Sequence, residues 1–251
     1  MVTETQQVLL DIIGAHLFQK QRPDLDGANW TSLLKEADLQ AVFPIVYTVV
    51  EPFLPDDIKP KASSRYFVHV ASSVRNAHQH GELHKLLSEH DLPYVIIKGM
   101  ASAAYYPDTF MWSMGDVDFL VPKDKLEETK KLLLTEGYTT NENSKHHAHL
   151  AFHKEKEILE MHWEPNGITG GKKGDICREY LSDIIETAES YETQNEHFLV
   201  PDAFHHGLVM LLHTATHMVN TGVGLRHLCD WAVFVGKLDD QENLETCLKR
   251  N

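Results

Sequence analysis

The segment Gly115-Asp116-Val117-Asp118-Phe119-Leu120-Val121 constrains this chain more than any other. Aspartate alternates with apolar residues, a period of two that reads as a strand with one acidic and one apolar face. Side chains two apart on a strand share a face, about 7 Å from one another. Two carboxylates that close repel, and apolar neighbours imply partial burial, so each resists ionising unless a cation lies between them. The pattern predicts a divalent-metal site on a half-buried sheet.

The rest of the composition sets broad limits. A chain of 251 residues buries a substantial core and has room for one or two domains. Its net charge of −14 argues against a general nucleic-acid surface, which needs clustered Lys and Arg, so a long nucleic acid is an unfavoured partner. A small basic pocket for a nucleotide is compatible with that charge. No run approaches the ~20 apolar residues of a membrane span, which predicts no membrane partner. The opening residues show neither a basic n-region nor a cleavage pattern, which predicts no signal peptide. Cys177, Cys229 and Cys247 are too scattered for a disulfide framework or a zinc knuckle. Together these predict a cytoplasmic protein.

Helical periodicity dominates the first third. Leu9, Leu10, Ile12, Ile13 and Leu17 mark one helix, Trp30 to Leu39 a second, and Pro44 to Leu54 an apolar third. A long amphipathic helix is expected from Ser63 to just before Pro93, its histidines (His69, His78, His80, His84, His90) lying at the surface or in interfaces. The texture then changes. Tyr94-Val95-Ile96-Ile97 reads as a buried strand closed by Lys98-Gly99, with a helix opening at Met100. After the Asp116–Val121 strand, Asp124 and Glu127 suggest a capping box, and Gly137 a helix end. His149–Phe152 and Ile158–Trp163 flank a polar turn and predict a hairpin. Gly167–Gly174 reads as a flexible boundary loop, with helices expected over Asp202–Val219 and Gly224–Val235.

Alternation along the second hairpin strand puts Glu160 and His162 on one face, and a mid-strand glutamate is disfavoured by propensity, so it calls for a reason. A glycine at a strand-to-helix turn lets a phosphate approach backbone N–H groups, which marks Lys98, Gly99 and Ser102 as candidate nucleotide-binding residues. His146, His147, His149 and His153 cluster locally, and in a hairpin His147 and His149 share a face that could look toward Glu160. His213 and His217, spaced i and i+4, share a helix face, either as a metal or substrate site or bonded between helices.

Lys98-Gly99, Tyr106-Pro107, Gly115-Asp116-Val117-Asp118 and Leu159-Glu160-Met161-His162-Trp163 together resemble the uncharacterised nucleotidyltransferase family of bacteria, within the DNA polymerase β-like superfamily. His213, His217, Arg226 and Asp230 are similar to that family's helical His-x-x-x-His segment and later Leu-Arg-x-x-x-Asp run. The resemblance implies an α+β fold: a mixed β-sheet core over residues 91–166, flanked by helical regions over 1–90 and 167–251. It also implies transfer of a nucleoside monophosphate from a nucleoside triphosphate, ATP foremost, to a hydroxyl of an unidentified small-molecule or protein acceptor, with release of pyrophosphate. Asp116, Asp118 and Glu160 are then the catalytic residues and the ligands of Mg²⁺ or Mn²⁺. Glu160 assists deprotonation, Lys98 pairs with the triphosphate, and His162, His147 and His149 support the acids.

Two departures stand out. Met100 follows Gly99 where the superfamily usually has Ser, and Trp112-Ser113-Met114 stands where relatives often carry an arginine. They motivate an alternative: a nucleotidyltransferase-fold protein that acts by nucleotide or partner binding. A His-based metal hydrolase on the C-terminal helices is a third reading. The sequence leaves the oligomeric state open.

Overall fold

The computed structural model describes residues 2–113, 115–141 and 148–238. His146 and His147 of the local histidine cluster therefore lie outside the described residues.

Four helices open the chain: α1 (Glu4–Phe18), α2 (Trp30–Leu39), α3 (Phe43–Val50) and α4 (Lys59–Glu89). Thr3 and Gln6 form a reciprocal capping box that starts α1. The long helix starts at Lys59, earlier than the predicted Ser63, because Pro60 falls in its first turn, where a missing N–H is harmless. Then follow β1 (Val95–Ile96), α5 (Met100–Ala103), β2 (Val117–Leu120), α6 (Leu126–Thr135), β3 (Thr139–Thr140), β4 (His149–Lys154) and β5 (Glu157–His162). The chain continues through α7 (Lys172–Tyr180), β6 (Glu189–Thr193), β7 (Glu196–Val200), α8 (Ala203–Asn220) and α9 (Leu225–Leu238).

The architecture is α+β. Strands β1 to β5 form a mixed sheet in the order β1-β2-β5-β4-β3, with β2 parallel to β5 and the other neighbours antiparallel. One face is apolar. Ile96, Val117, Phe119, Phe152, Leu159 and Met161 are buried there against Ala77, Leu83 and Leu87 of α4, with Leu133 of α6 and Phe198 of β7. On the other face Val95, Ile97 and Leu120 are covered by Leu181, Ile184 and Val209. That apolar cover does not extend to Asp118, Glu160, His162 and His149, which alternate onto the same face. A third cluster joins α1, α2 and α3 to Tyr106, Met111, and Cys229 and Val233 of α9, so the first and last helices share one core.

Several local expectations are corrected. Asp124 caps nothing: α6 begins at Leu126 after a short 3₁₀ turn and has no side-chain cap. The β4–β5 turn is tighter than the predicted His153–Glu157, since both strands run on and leave Glu155 (φ 53°) and Lys156 between them. Helix α7 starts inside the expected Gly167–Gly174 loop. The β6–β7 hairpin was not anticipated; its turn residues Gln194 and Asn195 both have positive φ, the type I′ geometry that matches strand twist. On α4, Phe67 is 65% exposed. Of its histidines, expected at the surface or in interfaces, His80 is fully buried in the interface with β7, its Nδ1 bonded to the Asn76 carbonyl at 2.7 Å. Among the described residues, no helix is long and apolar enough to cross a membrane.

Two predictions follow from burial and backbone geometry. Burial holds the His80 imidazole down at about 4, against the Asn76 hydrogen bond and Asp118, and holds His206 at about 3. Unfolded histidine titrates near 6.5, so their stabilisation is complete above that value and is lost as pH falls toward the folded values. Urea unfolding is expected to show about 1–2 kcal/mol lost per buried histidine between pH 6.5 and 5, and His206→Phe to remove one share of the slope. An unchanged slope in that variant would contradict a buried neutral imidazole. Gly99 adopts φ 58° and ψ −112°, while the nearest atom to an added Cβ is 3.8 Å away. Gly99→Ala is therefore expected to cost about 1–3 kcal/mol through backbone strain alone, measured by the same unfolding assay.

Candidate functional site

The site is built by register. Parallel pairing of β2 with β5 sets Asp118 opposite Glu160 and Leu120 opposite His162, while β4 sets His149 opposite His162. Asp116 precedes β2 by one residue, two before Asp118, and so joins the same side. Oxygens of Asp116, Asp118 and Glu160 all lie within 4.8 Å of one another. Lys98 enters from the end of β1, which is held to β2 by the Ile97 N–H donating to the Asp118 carbonyl at 3.0 Å.

Asp118 is nearly buried, with two donors on one oxygen. Lys98 Nζ lies 2.5 Å and His162 Nε2 2.9 Å from its Oδ1. Burial alone raises a carboxyl, but here the His162 hydrogen bond and the Lys98 charge outweigh it and hold Asp118 below the usual carboxylate range. Asp116 behaves oppositely. Burial, then the charges of Asp118 and Glu160, push its carboxyl up, against the pull of Lys98. His162 Nε2 is also 3.5 Å from Glu160 Oε2, and His149 Nε2 is 3.9 Å from the same oxygen. Two imidazoles thus flank the acids, their rings 4.8 Å apart.

The acids open onto a cavity of about 270 Å³. Lys98, Gly99, Ser102, Asp116 and Asp118 line it on the sheet side; His213, His217, Arg226, His227 and Trp231 line the side formed by α8 and α9. Gly99 and Ser102 are buried in the turn that opens α5, joined by the Ser102 N–H donating to the Gly99 carbonyl at 3.1 Å. His80 stands behind this turn, on the Gly99 side facing α4. Every predicted nucleotide-binding residue therefore reaches the cavity. Glu160 reaches the acids without being part of its wall, and His147 cannot be placed.

The sequence also contained a link that local spacing does not reveal. Asp230 of α9 accepts hydrogen bonds from the Tyr106 hydroxyl at 2.7 Å and from Trp112 Nε1 at 3.0 Å, and the Arg226 guanidinium stacks over the Trp112 ring at 4.8 Å. Tyr106 and Asp230 were visible as separate motif fragments; only the fold makes them one junction.

Three carboxylates offer hard oxygen donors in the number and spacing that a Mg²⁺-class cation takes alongside phosphate oxygens and water. The raised Asp116 carboxyl shows the same crowding from the electrostatic side. This donor set fits a divalent metal. A neighbouring cationic side chain and a glycine turn suit a phosphate at the acids.

Several solved structures are similar to this chain at low identity. A crystal structure of ANT(2")-Ia with adenylyl-2"-tobramycin is 13% identical over 69% of this chain and 94% of that chain, with a TM-score of 0.46. An antigenic nucleotidyltransferase-like protein from Paracoccidioides brasiliensis is 11% identical over 68% and 84%, at 0.43. Lincomycin-bound lincosamide antibiotic adenylyltransferase LnuA is 12% identical over 49% and 78%, at 0.36. No curated protein matches this chain. The family comparison spans most of the molecule: residues 26–251, which include both walls of the cavity, match the uncharacterised nucleotidyltransferase family, and the chain belongs to it.

Proposed function

We propose that this nucleotidyltransferase moves a nucleoside monophosphate from a nucleoside triphosphate, ATP foremost, to a hydroxyl of a small-molecule or protein acceptor. The observation that carries this reading is the meeting of Asp116, Asp118 and Glu160 on one sheet face beside Lys98 and the Gly99 turn. Asp116, Asp118 and Glu160 would hold Mg²⁺ or Mn²⁺, which when bound polarises the α-phosphate and offsets charge on the attacking and leaving oxygens.

In the reaction, the acceptor oxygen forms a bond to the α-phosphorus. The bond from that phosphorus to the oxygen bridging the β-phosphate breaks, and pyrophosphate leaves with the electron pair. The hydroxyl proton passes to Glu160, whose Oε2 lies near the two supporting imidazoles. Lys98 contributes a point charge at the phosphate next to Asp118. The Gly99 backbone, free of a Cβ, allows close approach at the turn. Ser102 is the hydroxyl available there in place of one at Met100.

Calorimetry of each nucleoside triphosphate with Mg²⁺ tests the assignment. The parent chain is expected to bind metal-dependently, and Asp116→Ala/Asp118→Ala to lose at least about tenfold in affinity, or 1.4 kcal/mol. Undiminished metal–nucleotide binding in the double variant would overturn the site. Metal-dependent binding with no pyrophosphate released across a panel of hydroxyl acceptors would replace transfer by a nucleotide-binding role.

A further inference from the structure

The cavity wall facing the acids contains groups with no part in the transfer chemistry above. His213 and His217 from α8 and His227 from α9 crowd together, with ring centroids 4.5, 4.7 and 5.8 Å apart. Their ring nitrogens come within 4.8 Å of one another, a spacing that also suits a transition metal. The surrounding charge has the opposite preference. Arg226 acts on His217 and His227, and Lys98 on His213 and His217, and a bare dication beside them meets like charge. Burial, reinforced by these cations, holds His213 at about 3 and His227 at about 4, so both rings are neutral, each with one N–H to donate.

Some unmet hydrogen-bonding capacity lies on the same wall. The Nε of Arg226 is buried without a hydrogen-bond partner among the described residues, and the ring nitrogens of His227 are buried with no polar contact beyond the Gly224 backbone. Buried polar atoms left unpaired are costly, and here several of them border one cavity. Among the described residues no carboxylate pairs with Arg226 at salt-bridge distance; Asp230, one helical turn on, acts on it at longer range. The guanidinium is held instead on Trp112, which Asp230 fixes through its indole N–H. A planar fork held on an aromatic face at the edge of a cavity suits an oxyanion with several oxygens.

We propose that Arg226, together with the N–H groups of His213, His217 and His227, forms a polyphosphate-binding wall that takes the terminal phosphates of the nucleotide and then the pyrophosphate product. The identity of the carrier rests on the transfer reaction proposed above; the anion site itself does not. The two walls then divide the substrate between them. The acids address the α-phosphate through a cation, and the guanidinium holds the departing end.

Calorimetry of inorganic pyrophosphate into the full chain, with a chelator and no metal, tests the wall by itself. The parent is expected to bind, Arg226→Gln to bind about tenfold more weakly or less, and Arg226→Lys to fall between, keeping charge but losing the fork. Asp116→Asn/Asp118→Asn is expected to bind pyrophosphate at least as tightly as the parent, because it removes negative charge from the opposite wall. Equal binding by Arg226→Gln and parent, or none by the parent, overturns the proposal. So does stoichiometric zinc that is lost in His213→Ala, which would make the wall a metal site. Circular dichroism checks that Arg226→Gln is folded, and Arg226→Lys answers the question if it is not. Retained metal–nucleotide binding without pyrophosphate binding removes only the wall; intact pyrophosphate binding without metal–nucleotide binding removes only the transfer reading.

Discussion

The structure depends on the parallel pairing of β2 with β5. This one register sets Asp118 against Glu160, places His162 where it reaches both, and leaves Val117, Phe119, Leu159 and Met161 on the opposite side. A slip by one residue would turn the carboxylates into the apolar layer and the apolar residues toward the cavity. The acids do not hold themselves in place, since they repel. What fixes them is the tight burial on the reverse face, where Phe119, Phe152, Leu159 and Met161 are essentially inaccessible.

Charge around the cavity follows from this placement. Buried carboxylates need compensation, and Asp118 obtains it from Lys98 and His162, while for Asp116 burial and its acidic neighbours outweigh Lys98. The opposite wall, built from helices, carries a guanidinium and neutral imidazoles. A cavity acidic on one side and cationic on the other orients a ligand that is itself a polyanion carrying a divalent cation.

Much of the centre was legible because strand periodicity is short-ranged. Alternation in Asp116–Val121 and Ile158–Trp163 was enough to assign faces, and a glycine after an apolar run was enough to mark the turn. The β6–β7 hairpin escaped because Glu189–Val200 mixes polar residues on both faces, and its turn residues, Gln194 and Asn195, lack the glycine that usually announces a type I′ turn. The burial of His80 could not be read from α4 alone: the ring is polar, and a group that packs on it, Phe198, comes from a distant part of the chain. For the same reason the roles of Trp112 and Arg226 lay hidden. Their significance is a contact between the segment before β2 and the last described helix.

The Tyr106–Asp230–Trp112 junction has a consequence for the order in which the protein is made. Chains leave the ribosome from the N-terminus, and α9 comes after every strand of the sheet. The strands that bear the acids can pair while α9 is still being synthesised, but the α9 part of the cavity's second wall is held in place by the contacts of Asp230 with Tyr106 and Trp112. Cys229 and Val233 of that helix also pack into the core of α1, α2 and α3, so the same helix closes that core. Completion of the cavity and completion of the core around α1, α2 and α3 thus both await α9.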